Sequence, residues 1–202
     1  LEPIEKPHRR LKPPKIRLAF ETEPVKDVLT VDDLTITVGS GEKERVLLTN
    51  AEFNIQRGDK VAIIGPNGSG KTTLLRTILS AEPPEKGRIT WGRGVKRSYY
   101  DQGSDHLDQS LTVMDTMWKA YPRMYETPLR TALGAMGLTG EDAYRLVGQL
   151  SGGERARLKL AIICLAGSNV LVLDEPTNHL DLPSKEVLQQ ALSEYEGTLI
   201  IV

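Results

Sequence analysis

Val61-Ala62-Ile63-Ile64 is a short unbroken apolar run, the pattern of a strand buried on both faces. It opens into a glycine-rich loop and then into the helical spacing of Thr72–Ser80. The same rhythm returns further on, with a helix predicted over Glu154–Leu165, an apolar strand over Val170–Leu173, a second helix over Ser184–Tyr195 and a last strand from Thr198 to Val202. Strands alternating with helices, several of them wholly apolar, predict an α/β fold with a mostly parallel sheet core. Upstream the period is two: Leu34, Ile36 and Val38 alternate with polar residues, as do the residues of Lys15–Phe20. That alternation suits half-buried strands of an antiparallel β subdomain near the N-terminus. Arg88–Trp91 and Val95–Tyr100 predict a further strand pair around Gly92 and Gly94. Between Ser110 and Val147 the pattern is helical but interrupted by Pro122, Pro128, Gly134, Gly137 and Gly140, so a small helical subdomain is expected over about residues 105–150.

Composition narrows the classes. At 202 residues the chain holds one domain with a tail. With 26 Lys+Arg against 27 Asp+Glu, its surface as a whole is no nucleic-acid glove. The lone Cys164 excludes a disulfide framework and a cysteine-based metal cluster, and fits a reducing, cytoplasmic setting. No apolar run approaches the ~20 residues that span a bilayer. Five of the twelve prolines and a cluster of Lys/Arg between Lys6 and Arg17 fall early, so residues 1–14 read as the end of an extended, charged linker, with the domain proper over 15–202.

The candidate chemistry starts in the glycine-rich loop. Gly65-Pro66-Asn67-Gly68-Ser69-Gly70-Lys71-Thr72 fits G-x-x-x-x-G-K-[ST] and lies between a strand and a helix. Glycines let successive backbone N–H groups converge on phosphate oxygens, and the helix that follows, with Thr73 in its first turn, adds its positive end. Lys71 would reach the β and γ phosphates, and the Thr72 hydroxyl would face Mg²⁺. Asp174 and Glu175 stand at the C-terminal end of the strand Val170–Leu173, the edge where open α/β sheets bind ligands. Asp174 suits Mg²⁺, which takes one or two carboxylates and keeps several waters. Glu175, one residue on, would polarise the attacking water, completing a sufficient set for phosphoryl transfer.

Leu150-Ser151-Gly152-Gly153-Glu154 precedes the next helix. Ser151 and Glu154 make a capping box. Two adjacent glycines exceed what a cap requires and expose N–H groups at a helix start, a second anion site.

With these motifs in this order, the sequence resembles an ABC-type ATPase domain of the P-loop NTPase class. Gly65–Thr72 matches Walker A, Gln102 the Q-loop glutamine, Ser151–Glu154 the signature, Val170–Glu175 Walker B, and Asp181 the D-loop aspartate. The resemblance implies an ATPase using ATP and Mg²⁺, with Gln102 sensing the γ-phosphate and the metal. It also implies a head-to-tail pair of such domains, each covering the other's nucleotide with its Ser151-Gly152-Gly153 segment. Thr177-Asn178-His179-Leu180-Asp181 is similar to the soluble ABC-F proteins, which carry two ATPase domains in one polypeptide and act on the ribosome as translation or antibiotic-resistance factors. The basic, proline-rich start resembles the linker between those domains, so the chain is expected to be the second half of such a protein, with ribosome or rRNA as partner. An energy-coupling subunit of a membrane transporter shares every catalytic motif and is the alternative. The family follows its last strand with a switch histidine. The chain stops at Val202, just short of that segment, so weak turnover by these residues alone is expected. Where many relatives stack adenine on an aromatic ring, this sequence has Val38, which predicts weak discrimination between ATP and GTP. Arg155, Arg157 and Lys159 are read as a solvated helix face, and Lys6–Arg17 as the better candidate for nucleic-acid phosphates.

Overall fold

A computed structural model describes residues 18, 20, 22–39, 41–101, 107–178 and 180–202. The linker at 1–14, most of the strand expected over Lys15–Phe20, Gln102 and His179 lie outside the described residues. The elements run β1 (Asp27–Val38), β2 (Arg45–Gln56), β3 (Lys60–Ala62), α1 (Lys71–Leu79), β4 (Lys86–Trp91), β5 (Arg97–Tyr100), α2 (Val113–Ala120), α3 (Glu126–Ala135), α4 (Gly152–Leu165), β6 (Val170–Leu173), α5 (Leu182–Glu194) and β7 (Thr198–Ile201).

They form two sheets. β2, β1 and β4 make an antiparallel sheet in that order, and β3, β7, β6 and β5 make a parallel one. The four residues of β6 are all buried, because its alternate side chains feed two different cores. Leu171 and Leu173 join the helices α2 to α5, while Val170 and Val172 join β1 and α1. Each such side chain contributes about 1.5–3 kcal/mol relative to exposure, and this strand carries Asp174 and Glu175 at its end. Just before it, Asn169 is 1% exposed. Its Oδ1 accepts from the Lys96 N–H at 2.8 Å, and its Nδ2 donates to the Thr22 and Gly94 carbonyls at 2.8 Å each. The start of β6 is thereby fastened to the segment leading into β5.

Four expectations are corrected. The run Val61–Ile64 is not buried on both faces: among the described residues β3 pairs only with β7, Ala62 is exposed and Ile64 is 91% exposed. The interior positions of the sheet go to β7 and β6 instead. Second, β4 and β5 are not partners, since β4 pairs with β1 and β5 with β6. Gly92 is the point of departure, pressed so closely on the Asp27 carbonyl that no Cβ fits. Third, Leu18 and Phe20 lie outside any strand; they pack on the helical core, Phe20 edge-on to Tyr195 with centroids 6.1 Å apart. Fourth, Pro128 and Gly134 do not break a helix but lie inside α3. Pro128 occupies its first turn, where a missing N–H costs nothing, and the break falls at Gly137, with φ 71°.

Candidate functional site

Ile63 still donates its N–H to Ile201 at 2.8 Å, so the chain leaves the sheet in register before turning into the loop. Gly68 (φ 76°) and Gly70 (φ 98°) then adopt left-handed conformations, which glycine enters without the penalty of a Cβ. Gly70 precedes α1 and offers no side-chain cap, so the N-terminal N–H groups of α1 stay available to a ligand. Space is short on one side only: a Cβ on Gly70 would lie 2.9 Å from Leu47 Cδ1, and one on Gly65 2.9 Å from Ser69 Oγ, whereas one on Gly68 would meet nothing within 4 Å. Lys71 folds back and donates to the Gly65 and Pro66 carbonyls at 3.0 and 3.1 Å, holding its ammonium over the loop.

A cleft of about 340 Å³ opens on this loop. Asn67, Gly68, Gly70, Lys71, Thr72 and Thr73 form its floor, and Glu175 borders it. Its far wall is the β1–β2 hairpin, through Val38, Arg45 and Leu47. Val38 and Arg45 face each other directly in the hairpin register, and Leu47 is the unpaired residue of a bulge, since Ile36 pairs with Leu48 and Thr37 with Val46. A bulge re-aims a side chain, here onto Gly70. Arg45 and Leu47 escaped the sequence reading; their signal is the pairing with Val38 across the turn, which no motif contains.

Asp174 is 4% exposed. Its Oδ2 lies 3.5 Å from the Tyr99 hydroxyl, and its Oδ1 is buried with no hydrogen-bond partner among the described residues. Burial, with Asp101 and Asp174 nearby, pushes the Tyr99 hydroxyl up to about 12, so it remains a donor. An orphaned carboxylate oxygen costs several kcal/mol in a protein interior unless something supplies positive charge. That oxygen, with the Thr72 hydroxyl in the first turn of α1, fits a hard divalent cation such as Mg²⁺. Glu175 follows with φ 47°. Its N–H donates to the Val202 carbonyl at 3.2 Å, and its Oε2 accepts from Asn178 Nδ2.

Among the described residues, Asp174, Ser151–Glu154 and Asp181 do not line the cleft. Ser151 caps α4, accepting from the Glu154 N–H at 3.2 Å while Glu154 Oε2 accepts from the Ser151 N–H at 2.7 Å, so the capping box is formed. Arg145 bonds Glu154 Oε1 at 2.7 Å and is the largest cause holding that carboxyl down at about 2, with Ser151 adding to it. A Cβ on Gly152 would meet nothing within 4 Å. Asp181 caps α5, accepting from the Ser184 N–H at 3.0 Å, and Arg157 bonds its other oxygen at 3.2 Å. Ser184 first, and Arg157 after it, lower the Asp181 carboxyl. Arg155, Arg157 and Lys159 are therefore not a solvated face: all three are half-buried, Arg157 pairs with Asp181, and Arg155 bonds the Leu150 carbonyl at 2.7 Å.

A strand-loop-helix phosphate cradle beside a buried aspartate and a cleft-lining glutamate defines a P-loop ATPase. Residues 48–178 match the ABC transporter family model, and the chain belongs to that family. It is 40% identical over 203 residues to ABC transporter F family member 5 of Arabidopsis thaliana, covering all of this chain and 29% of that protein. It is 41% identical over 179 residues to the energy-dependent translational throttle protein EttA of Escherichia coli K12, covering 87% of this chain and 32% of that protein. The chain thus spans less than a third of the length of these ABC-F relatives. Among solved structures, the dimeric post-hydrolysis state of an ATP-binding cassette bound to ADP and Pi shares the fold, with TM-score 0.70 and 23% identity over 86% of this chain and 87% of that one. No helix among the described residues is long and apolar enough to cross a membrane.

Proposed function

We propose that this chain is a Mg²⁺-ATP-binding and hydrolysing domain of an ABC-F protein that acts on the ribosome, working head to tail with a second ABC ATPase domain. The observation that carries the ATPase chemistry is the cleft itself, which the glycine-rich loop from Asn67 to Thr73 and Glu175 line together, with the buried Asp174 next to Glu175 in the chain. Backbone N–H groups of the loop and Lys71 bind the β and γ phosphates. Thr72 and Asp174 hold the cation, which neutralises charge on the phosphates, and Gln102 joins them on the family's pattern. Glu175 takes a proton from the attacking water. Ser151–Glu154 and Asp181 do not line the cleft, and a Cβ on Gly152 would meet nothing within 4 Å among the described residues. Both facts suit a signature offered to the partner domain's nucleotide. The ribosome reading is supported by the likeness to EttA, described as a translational throttle.

The test is Glu175→Gln in the full-length protein. ATP binding is retained, hydrolysis falls by about 10²–10⁴-fold, and the variant cosediments with ribosomes in ATP. Unchanged hydrolysis refutes the role of Glu175. Cosedimentation with membranes in place of ribosomes refutes the ribosomal assignment in favour of transporter coupling.

A further inference from the structure

Glu175 is tied to Asn178 twice. The Asn178 N–H donates to the Glu175 carbonyl at 3.1 Å, closing a turn, and Asn178 Nδ2 donates to Glu175 Oε2. One bond fixes the backbone where φ is 47°; the other fixes the carboxylate on the same residue. A carboxylate has two oxygens and about four acceptor positions. With Oε2 held by the amide, Oε1 keeps its acceptor positions, on a residue that borders the cleft. From this geometry we propose that Asn178 is a positioning residue for hydrolysis: it sets the orientation of the Glu175 carboxylate so that Oε1 receives the proton of the attacking water. The proposal rests on the reading of Glu175 as the base.

The choice of side chain suits that task. An amide donates a hydrogen bond but carries no charge and does not titrate, so it fixes the carboxylate without neutralising it, as a lysine or arginine would. A misaligned base loses rate steeply, because proton transfer needs the acceptor within hydrogen-bond reach of the water. Asn178 does not line the cleft, so its effect on nucleotide affinity is small and its effect on turnover is large.

The experiment is a double-mutant cycle in the full-length protein, read by single-turnover ATP hydrolysis, nucleotide affinity and thermal unfolding. Asn178→Ala lowers the hydrolysis rate by about tenfold or more with nucleotide affinity unchanged. Asn178→Asp keeps the shape but replaces the donor by a second carboxylate, and loses at least as much. In the Glu175→Gln background, Asn178→Ala lowers the residual rate no further, because both changes remove one function. An Asn178→Ala variant whose rate falls by the same factor in both backgrounds, or whose loss lies in nucleotide affinity, overturns the proposal. A Glu175→Gln variant with undiminished hydrolysis refutes the base assignment itself, and the positioning role falls with it.

Discussion

Gly70→Ala is the sharpest probe of why the loop has its shape. Gly70 has φ 98°, and an added Cβ would sit 2.9, 3.3 and 3.5 Å from Cδ1, Cβ and Cγ of Leu47. Placing an L-residue in the left-handed region costs about 1–2 kcal/mol. Pushing Leu47 aside adds about 1 kcal/mol of overpacking, and only that much, because the nearest atom is the free end of a side chain. The sum is about 2–3 kcal/mol. Gly68 supplies the control: its φ is 76°, but a Cβ there meets nothing within 4 Å, so Gly68→Ala pays the backbone term alone. For a chain of this size, 1 kcal/mol moves Tm by about 2–4 °C. Thermal unfolding without nucleotide should therefore fall by about 4–12 °C for Gly70→Ala and by about 2–8 °C for Gly68→Ala, the loss at Gly70 being the larger by the overpacking contribution. Measuring the nucleotide-free protein keeps binding out of the comparison. The contact with Leu47 is tested by a cycle with Leu47→Ala, which should show about 1 kcal/mol of favourable coupling. Equal losses for the two glycines, or additive behaviour with Leu47→Ala, would refute this account of the loop.

Two further outcomes are expected. Glu154 is held down at about 2 in the folded protein against an ordinary 4.5, chiefly by Arg145, so its contribution is complete above about pH 4.5 and is lost as pH falls towards 2. After allowance for solvent screening, Glu154→Gln should cost about 1–2 kcal/mol at pH 7, and urea unfolding should show the gap between variant and parent closing through that acid window; a gap independent of pH would count against the Arg145 pairing. Val38 and Arg45 pair on the cleft wall, and no aromatic residue lines the cleft among the described residues, so GTP should compete with ATP within about tenfold, and Val38→Tyr should tighten purine nucleotide binding by about 2- to 10-fold. Strict ATP preference in a competition assay would contradict this.

What was legible in the sequence was what local patterns specify. The cradle at Gly65–Thr72 could be read because strand, glycines and helix follow one another along the chain, and β6 because a strand between two cores must be apolar at every position. What escaped depended on neighbours distant in sequence. The run Val61–Ile64 has the composition of an interior strand, but sheet order leaves β3 paired on one side only. Arg88–Trp91 and Val95–Tyr100 have hairpin spacing, yet the fit of Gly92 against Asp27 sends them to different sheets. Arg45 reaches the cleft only through the register of a hairpin bulged at Leu47.

Asp174 joins the two cases. The apolar run that made β6 recognisable also draws the carboxylate at its end into the interior, to 4% exposure. Tyr99 lies near one oxygen, and among the described residues no group bonds the other. A strand built only for packing would end on a residue with no such debt. The energetic cost of the orphaned oxygen would be offset by a divalent cation held at that carboxylate. Replacing Asp174 by Asn would therefore be mild for the nucleotide-free fold and severe for cation-dependent nucleotide binding.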